Sequence, residues 1–108
     1  MNLLPSLKQK KRYVVFEILS DTQYPVKDIA EEVDKALLLF LGQLGLSKSS
    51  PLFLKEKYKN NKFVIKVNHT WVNELISGVI LIKSIKNTPV IIRSVITSGT
   101  LKKASIKL

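Results

Sequence analysis

The sequence predicts an α+β fold: two helices on one face of a four-stranded antiparallel sheet, a two-layer sandwich with a short C-terminal helix added. Three observations predict it. Segments rich in β-branched and aromatic residues alternate with stretches of helical apolar spacing, in the order strand, helix, strand, strand, helix, strand. At 108 residues the chain is long enough for one domain and too short for two. Apolar residues make up 45% of it, enough to bury a core.

Each element has its own signal. Residues 12–19 read Arg-Tyr-Val-Val-Phe-Glu-Ile-Leu, a strand with Val14, Phe16 and Ile18 on one face and Tyr13, Val15 and Glu17 on the other. A polar turn follows, and Pro25 sits at the start of a helix, where its missing N–H costs nothing. Asp28, Glu31 and Glu32 crowd the first turns, near the positive end of the helix dipole. Val26, Ile29, Ala30, Val33, Leu37, Phe40, Leu41 and Leu44 keep helical spacing, and Gly45 is the expected stop. Residues 51–58 and 62–67 read as two strands around a Lys59-Asn60-Asn61 turn. Asn68 or Thr70 is placed to cap a second helix over 71–84, which Asn87-Thr88-Pro89 breaks. Residues 90–98 form the last strand, and Thr100 is placed to cap the short terminal helix. The order is the split βαβ of ferredoxin-like and RNA-recognition-motif-like folds, which leaves the second sheet face available. Residues 1–11 are read as a basic N-terminal arm and 12–108 as the domain. Topology alone does not fix function.

Charge narrows the function classes. Lys and Arg number 18 against 8 Asp and Glu, a formal net charge of +10. Such an excess repels itself in the compact state, so it points to a polyanionic partner, nucleic acid or an anionic membrane surface. The longest apolar runs, 36–41 and 78–82, fall far short of the roughly 20 residues that span a bilayer. Basic residues also precede any apolar run of signal length. A soluble, cytoplasmic protein with no membrane partner is therefore expected. The chain has no cysteine, which excludes disulfides, a thiol nucleophile and Cys-ligated metals. With His69 alone, a multi-histidine site is excluded too. Glu17 and Glu56 lack an evident partner carboxylate, and no Gly-rich phosphate loop or nucleophile motif occurs. No catalytic residue is assigned, and no metal or cofactor held by the protein is expected.

The candidate sites are therefore binding sites. Lys8, Lys10, Lys11 and Arg12 form the sharpest basic cluster, suited to neutralising phosphates, although a solubilising terminus would look similar. Lys62 and Lys66, with Lys55, Lys57 and Lys59, are placed to line a groove at the sheet edge; edge lysines also serve simply to discourage aggregation. Gly99, Thr100, Lys102 and Lys103 combine a sharp glycine turn, a cap and two cations, a second phosphate site. Tyr13, Val15, Val64, Ile91 and Val95 would make the open sheet face apolar enough to want a protein partner. Leu38 and Leu39, off the stripe of the first helix, are the other candidate protein contact. Base stacking of the RNA-recognition-motif kind needs aromatics on the two central strands. Here Asn61-Lys62-Phe63-Val64 replaces a basic-Gly-aromatic signature and Phe63 is read as core, so backbone and shape contacts are expected instead. His69 is read as a loop residue, Trp71 as a core anchor and Gly78 as a close contact of helix with sheet. Two other classes fit less well. One is a stand-alone basic RNA-binding protein of another ribonucleoprotein such as the ribosome. The other is a small ligand-binding or phosphatase-like enzyme, which would need an anion loop that the sequence lacks.

Lys10-Lys11-Arg12-Tyr13-Val14 resembles the Lys/Arg-Tyr-hydrophobic start of the Pop-five family of archaeal and eukaryotic ribonuclease P subunits. Gly99-Thr100-Leu101-Lys102-Lys103 resembles that family's Gly-Thr-aliphatic-basic segment. Lys57-Tyr58, the strand at 63–67 and the helix at 71–82 match its order and spacing between these ends. Ser98 departs from the pattern, standing where the family often has another glycine. The resemblance implies a compact archaeal form of a non-catalytic subunit. It would bind and stabilise the ribonuclease P RNA, which removes 5′ leaders from precursor tRNA. It also implies a barrel-shaped protein subunit as partner and self-association in a heterotetramer. Hydrolysis would belong to the RNA, with Mg²⁺ held there.

Overall fold

In a computed structural model, which describes residues 10–108, strand β1 (Lys11–Leu19) is the spine of the sheet. It pairs antiparallel with β3 (Lys62–Asn68), Phe16 opposite Phe63, and on its other side with β6 (Ile91–Ser98). The two-residue strand β2 (Leu52–Phe53) adds to β3, giving the order β2-β3-β1-β6. Helix α1 (Val26–Ser49) joins β1 to β2, and α2 (Val72–Ile80) follows β3. That is the split βαβ the sequence predicts. The first nine residues of the basic arm, Lys8 among them, lie outside the described residues.

Alternation builds the core. Val14, Phe16, Ile18, Phe63, Ile65, Val67 and Ile92 meet Ile29, Val33 and Leu37 of α1 and Leu75 and Val79 of α2. Phe63 stacks between Phe16 and Phe53, each ring pair 5.3 Å apart. Burying one such side chain stabilises by about 1.5–3 kcal/mol, so this layer dominates folding. Trp71, predicted as a core anchor, is half-buried and packs on its margin.

The elements depart from prediction where a side chain found a tertiary partner. Gly45 does not end α1. The helix breaks at Gly42 (φ +71°) and resumes, closing at Ser50 in the left-handed region. Gly45 is buried inside the resumed turn, where a Cβ would come within 2.9 Å of Leu41 Cβ. The break re-aims the residues after it, so Leu44, predicted as core, is 69% exposed; Phe40, also predicted as core, precedes the break and packs only in part, against Gly78 of α2. Only Leu52 and Phe53 remain of the strand predicted over 51–58, and residues 55–57 make a 3₁₀ turn. Asn60 and Asn61 do form the turn, both at positive φ, as this hairpin geometry requires. Asn61 is also buried. Its Nδ2 donates to the Thr22 carbonyl at 2.6 Å, and its Oδ1 lies 2.7 Å from the Tyr58 hydroxyl, tying the β1–α1 loop to the hairpin.

The second helix is shorter than predicted and neither Asn68 nor Thr70 caps it through its side chain. Asn68 instead donates its Nδ2 to the Lys48 carbonyl at 2.6 Å. A small hairpin, β4 (Ser84–Ile85) and β5 (Thr88–Pro89), takes up the segment beyond it, with Lys86 and Asn87 at positive φ in its turn. Gly78 packs α2 onto α1 rather than onto the sheet: a Cβ there would sit 3.1 Å from Leu37 Cδ2 and 3.2 Å from Phe40 Cδ2.

The second sheet face is not open. Helix α3 (Leu101–Ser105) lies across it, and its Ala104 is buried on Val15, Val64 and Leu54. Tyr13, Ile96, Leu101 and Leu108 pack around them.

Candidate nucleic-acid interface

The register of the sheet brings the two predicted basic segments together. Tyr13 pairs with Ser98 and Lys11 with Asn68, so the start of β1 meets the end of β6 and the end of β3. The Lys11 ammonium donates to Asn68 Oδ1, and the Lys10 carbonyl accepts the His69 N–H at 2.8 Å. His69 is thus an exposed loop residue, as expected, bound to β1 through its backbone. Arg12 donates to the Lys11 carbonyl at 3.0 Å. Its guanidinium stands 3.9 Å from where a Cβ on Gly99 would be.

Gly99 does not need left-handed backbone here, against the sharp-turn reading, and a Cβ there would make only an ordinary contact with Arg12. Ser98 is buried and braces the turn. Its Oγ accepts the Thr100 N–H at 3.2 Å and donates to the Thr100 carbonyl at 3.0 Å. Thr100 caps α3 as predicted, its Oγ1 accepting the Lys103 N–H at 3.3 Å. Lys102 and Lys103 stay exposed on the outer side of α3.

Of the predicted RNA-binding residues described, Lys10, Lys11, Arg12, Gly99, Thr100, Lys102 and Lys103 gather at one end of the sheet. Lys66, opposite Tyr13, lies on the α3-covered face close to them. Lys62 does not join the group: it stands opposite Glu17, towards the Asn60-Asn61 turn. Among the described residues only Lys35, Lys86 and Arg93 form ion pairs with a carboxylate. The sheet-end cations therefore have no carboxylate partner among the described residues. Arg93 is spent on Glu17, with Nε at 2.9 Å and Nη2 at 2.6 Å from the same oxygen.

The predicted protein contacts divide. Val15 and Val64 are excluded, because α3 buries both completely, and Tyr13 is half-buried beside them. Ile91 and Val95 are exposed on the edge strand β6. Leu38 and Leu39 are exposed, Leu39 by 88%, and the sequence reading missed what surrounds them. Phe40, Leu44, Ile80 and Leu81 are exposed as well, and Ala36, Leu39, Phe40, Gly78 and Leu81 line a groove of about 270 Å³. Gly42 was the available signal for Leu44, since a glycine inside a helical stripe permits the break that turns it outward. No helix among the described residues is long and apolar enough to cross a membrane.

The chain is thus an α+β sandwich with cations at one sheet end that lack carboxylate partners among the described residues, and with an exposed apolar patch on its helices. Residues 12–108 match the model of the Rpp14/Pop5 family, and the chain belongs to that family. It is 32% identical to ribonuclease P protein component 2 of Methanococcus vannielii, over 93% of this chain and 75% of the relative. The protein of the same name from Pyrococcus furiosus is 31% identical, over 97% and 88%. In structure the chain is similar to one in the cryo-EM structure of yeast ribonuclease MRP, with a TM-score of 0.68 at 18% identity, covering 87% of this chain and 77% of that one. This last likeness is one of fold.

Proposed function

We propose that this chain is a non-catalytic protein subunit of the ribonuclease P ribonucleoprotein, binding and stabilising the RNA that removes 5′ leaders from precursor tRNA. Family membership carries the assignment. The sheet-end cluster supplies the physical means, because cations without carboxylate partners lower the repulsion between folded RNA strands. The subunit works in the cytoplasm, and hydrolysis rests with the RNA and its Mg²⁺. The exposed apolar patch on α1 and α2 receives the barrel-shaped protein subunit. A second copy completes a heterotetramer.

Precursor tRNA cleavage by a ribonuclease P RNA with its other protein subunits, at moderate Mg²⁺, tests the assignment. Adding the full chain should restore cleavage at the mature 5′ end, while the chain alone cleaves nothing. Cleavage indifferent to the chain would assign its basic surface to another RNA.

A further inference from the structure

The fold carries the basic rim beyond Lys103. From the Arg12 end of the sheet, α3 crosses over Val15 and Val64 and delivers Ser105, Ile106 and Leu108 to the connection between β2 and β3. There they line a cleft of about 460 Å³ with Glu56, Lys57, Tyr58 and Lys59. Leu101, Ala104 and Leu108 pack inward, and Lys102, Lys103 and Lys107 are exposed. We propose that α3 is the ridge of one phosphate track, with Arg12, Lys102 and Lys103 at its first end and Lys57, Lys59 and Lys107 at a second station. The track holds the backbone of folded RNA. It rests on the ribonucleoprotein reading above and adds a binding station that neither basic motif contains.

Three observations select that ligand. None of the three second-station lysines has a carboxylate partner among the described residues, and Glu56 is the one acid lining the cleft. The acids are unevenly placed: of the eight, Asp28, Glu31, Glu32 and Asp34 lie on α1 and Glu74 on α2, across the sheet from α3. A polyanion is thus drawn to the α3 side. Among the described residues α3 itself carries no aromatic side chain, and Tyr58 of the cleft is partly buried against the main core. Phe16 and Phe63 are buried in the opposite layer, Tyr13 is packed beside α3, and the Tyr58 hydroxyl is held 2.8 Å from the Tyr24 carbonyl. Single strands are held largely by stacking, so this surface favours the phosphates of folded RNA.

The test is binding of the full chain to a labelled RNA stem-loop across a salt series. The variant Lys57→Gln/Lys59→Gln/Lys107→Gln is set against Lys27→Gln/Lys35→Gln/Lys83→Gln, which removes the same charge from outside the track. The track variant should bind several-fold more weakly, with a salt slope reduced by roughly 0.7–0.9 for each phosphate no longer neutralised. The control should keep the wild-type slope, and an oligouridine of equal length should bind more weakly than the stem-loop. An unchanged slope in the track variant overturns the proposal, as does an equal fall in both variants or a preference for oligouridine. Competition by an acidic peptide as effective as RNA would reassign the cleft to a protein and also overturn it. Wild-type chain that binds no RNA salt-dependently overturns the track, whereas failure of the subunit reading shows separately, in the cleavage reconstitution.

Discussion

The two faces of the sheet are covered very unequally. Among the described residues, sixteen buried residues from the sheet, both helices and their connections form one cluster on the helix side, whereas under α3 Val15, Leu54, Val64 and Ala104 are buried together. The first layer has enough apolar area to drive folding. The second is a thin cover, held by one five-residue helix, one cap and a few apolar side chains. The difference separates two tasks. Stability resides in the layer facing α1 and α2, and the α3 layer spends its outer surface on charge.

Breaking the thick layer should have the largest effect. Phe63→Ala removes the middle ring of a three-ring stack and should cost about 3–5 kcal/mol, read as a shift in urea midpoint. A cost below about 1 kcal/mol would mean that the core collapses around the gap and is looser than its packing indicates. Asn61→Ala comes next. It strips partners from the Thr22 carbonyl, the Tyr58 hydroxyl and the Tyr24 N–H, and should cost about 1–3 kcal/mol. Asn61→Gly keeps the positive φ and loses the same partners, so near-equal loss in both variants would assign the effect to hydrogen bonding.

The thin layer should respond locally. Thr100→Ala removes the α3 cap, worth about 1 kcal/mol, and should speed hydrogen exchange in residues 101–108 while the urea midpoint barely moves. A full-sized shift of the midpoint would show α3 to be cooperative with the core, and the two-layer division would fail.

The smallest effect is electrostatic and lies outside both layers. Lys86 bonds Glu31 at 3.2 Å, and that hydrogen bond and its charge, with Asp28 behind it, raise the ammonium above its ordinary pKa of 10.5. A raised lysine pKa means the pair contributes fully below the unfolded value and loses its contribution as pH rises through the folded value. Lys86→Met should therefore differ from wild type slightly at neutral pH, less in high salt, and not at all well above pH 10.5. A difference that survives alkali would point to packing by the lysine stem instead.

Much of this was legible from spacing alone. The period-two pattern of Val14, Phe16 and Ile18 and of Phe63, Ile65 and Val67 placed the correct faces inward, because a strand has only two faces and one was strongly apolar. The cap at Thr100 was legible because a threonine two residues past the end of a strand and just before helical residues has a local partner three residues on. Asn60-Asn61 was legible as a turn for the same local reason. Asn61's second role was not, since its partners lie in a loop some forty positions earlier in the chain.

Local periodicity and a count of charges were enough to give the order of the main elements, the main core and the cationic character. Tertiary structure alone decided three things. Strand register joined Arg12 to Gly99, which the chain keeps far apart. The break at Gly42 turned Leu44 from core to surface, since one residue's φ re-aims everything after it. The path of α3 converted Val15 and Val64 from an expected docking face into a buried layer and carried Ser105, Ile106 and Leu108 to the cleft beside Lys57 and Lys59. A short helix can be read from its cap and its lysines, but where it lies depends on which apolar surface remains uncovered once the rest has packed.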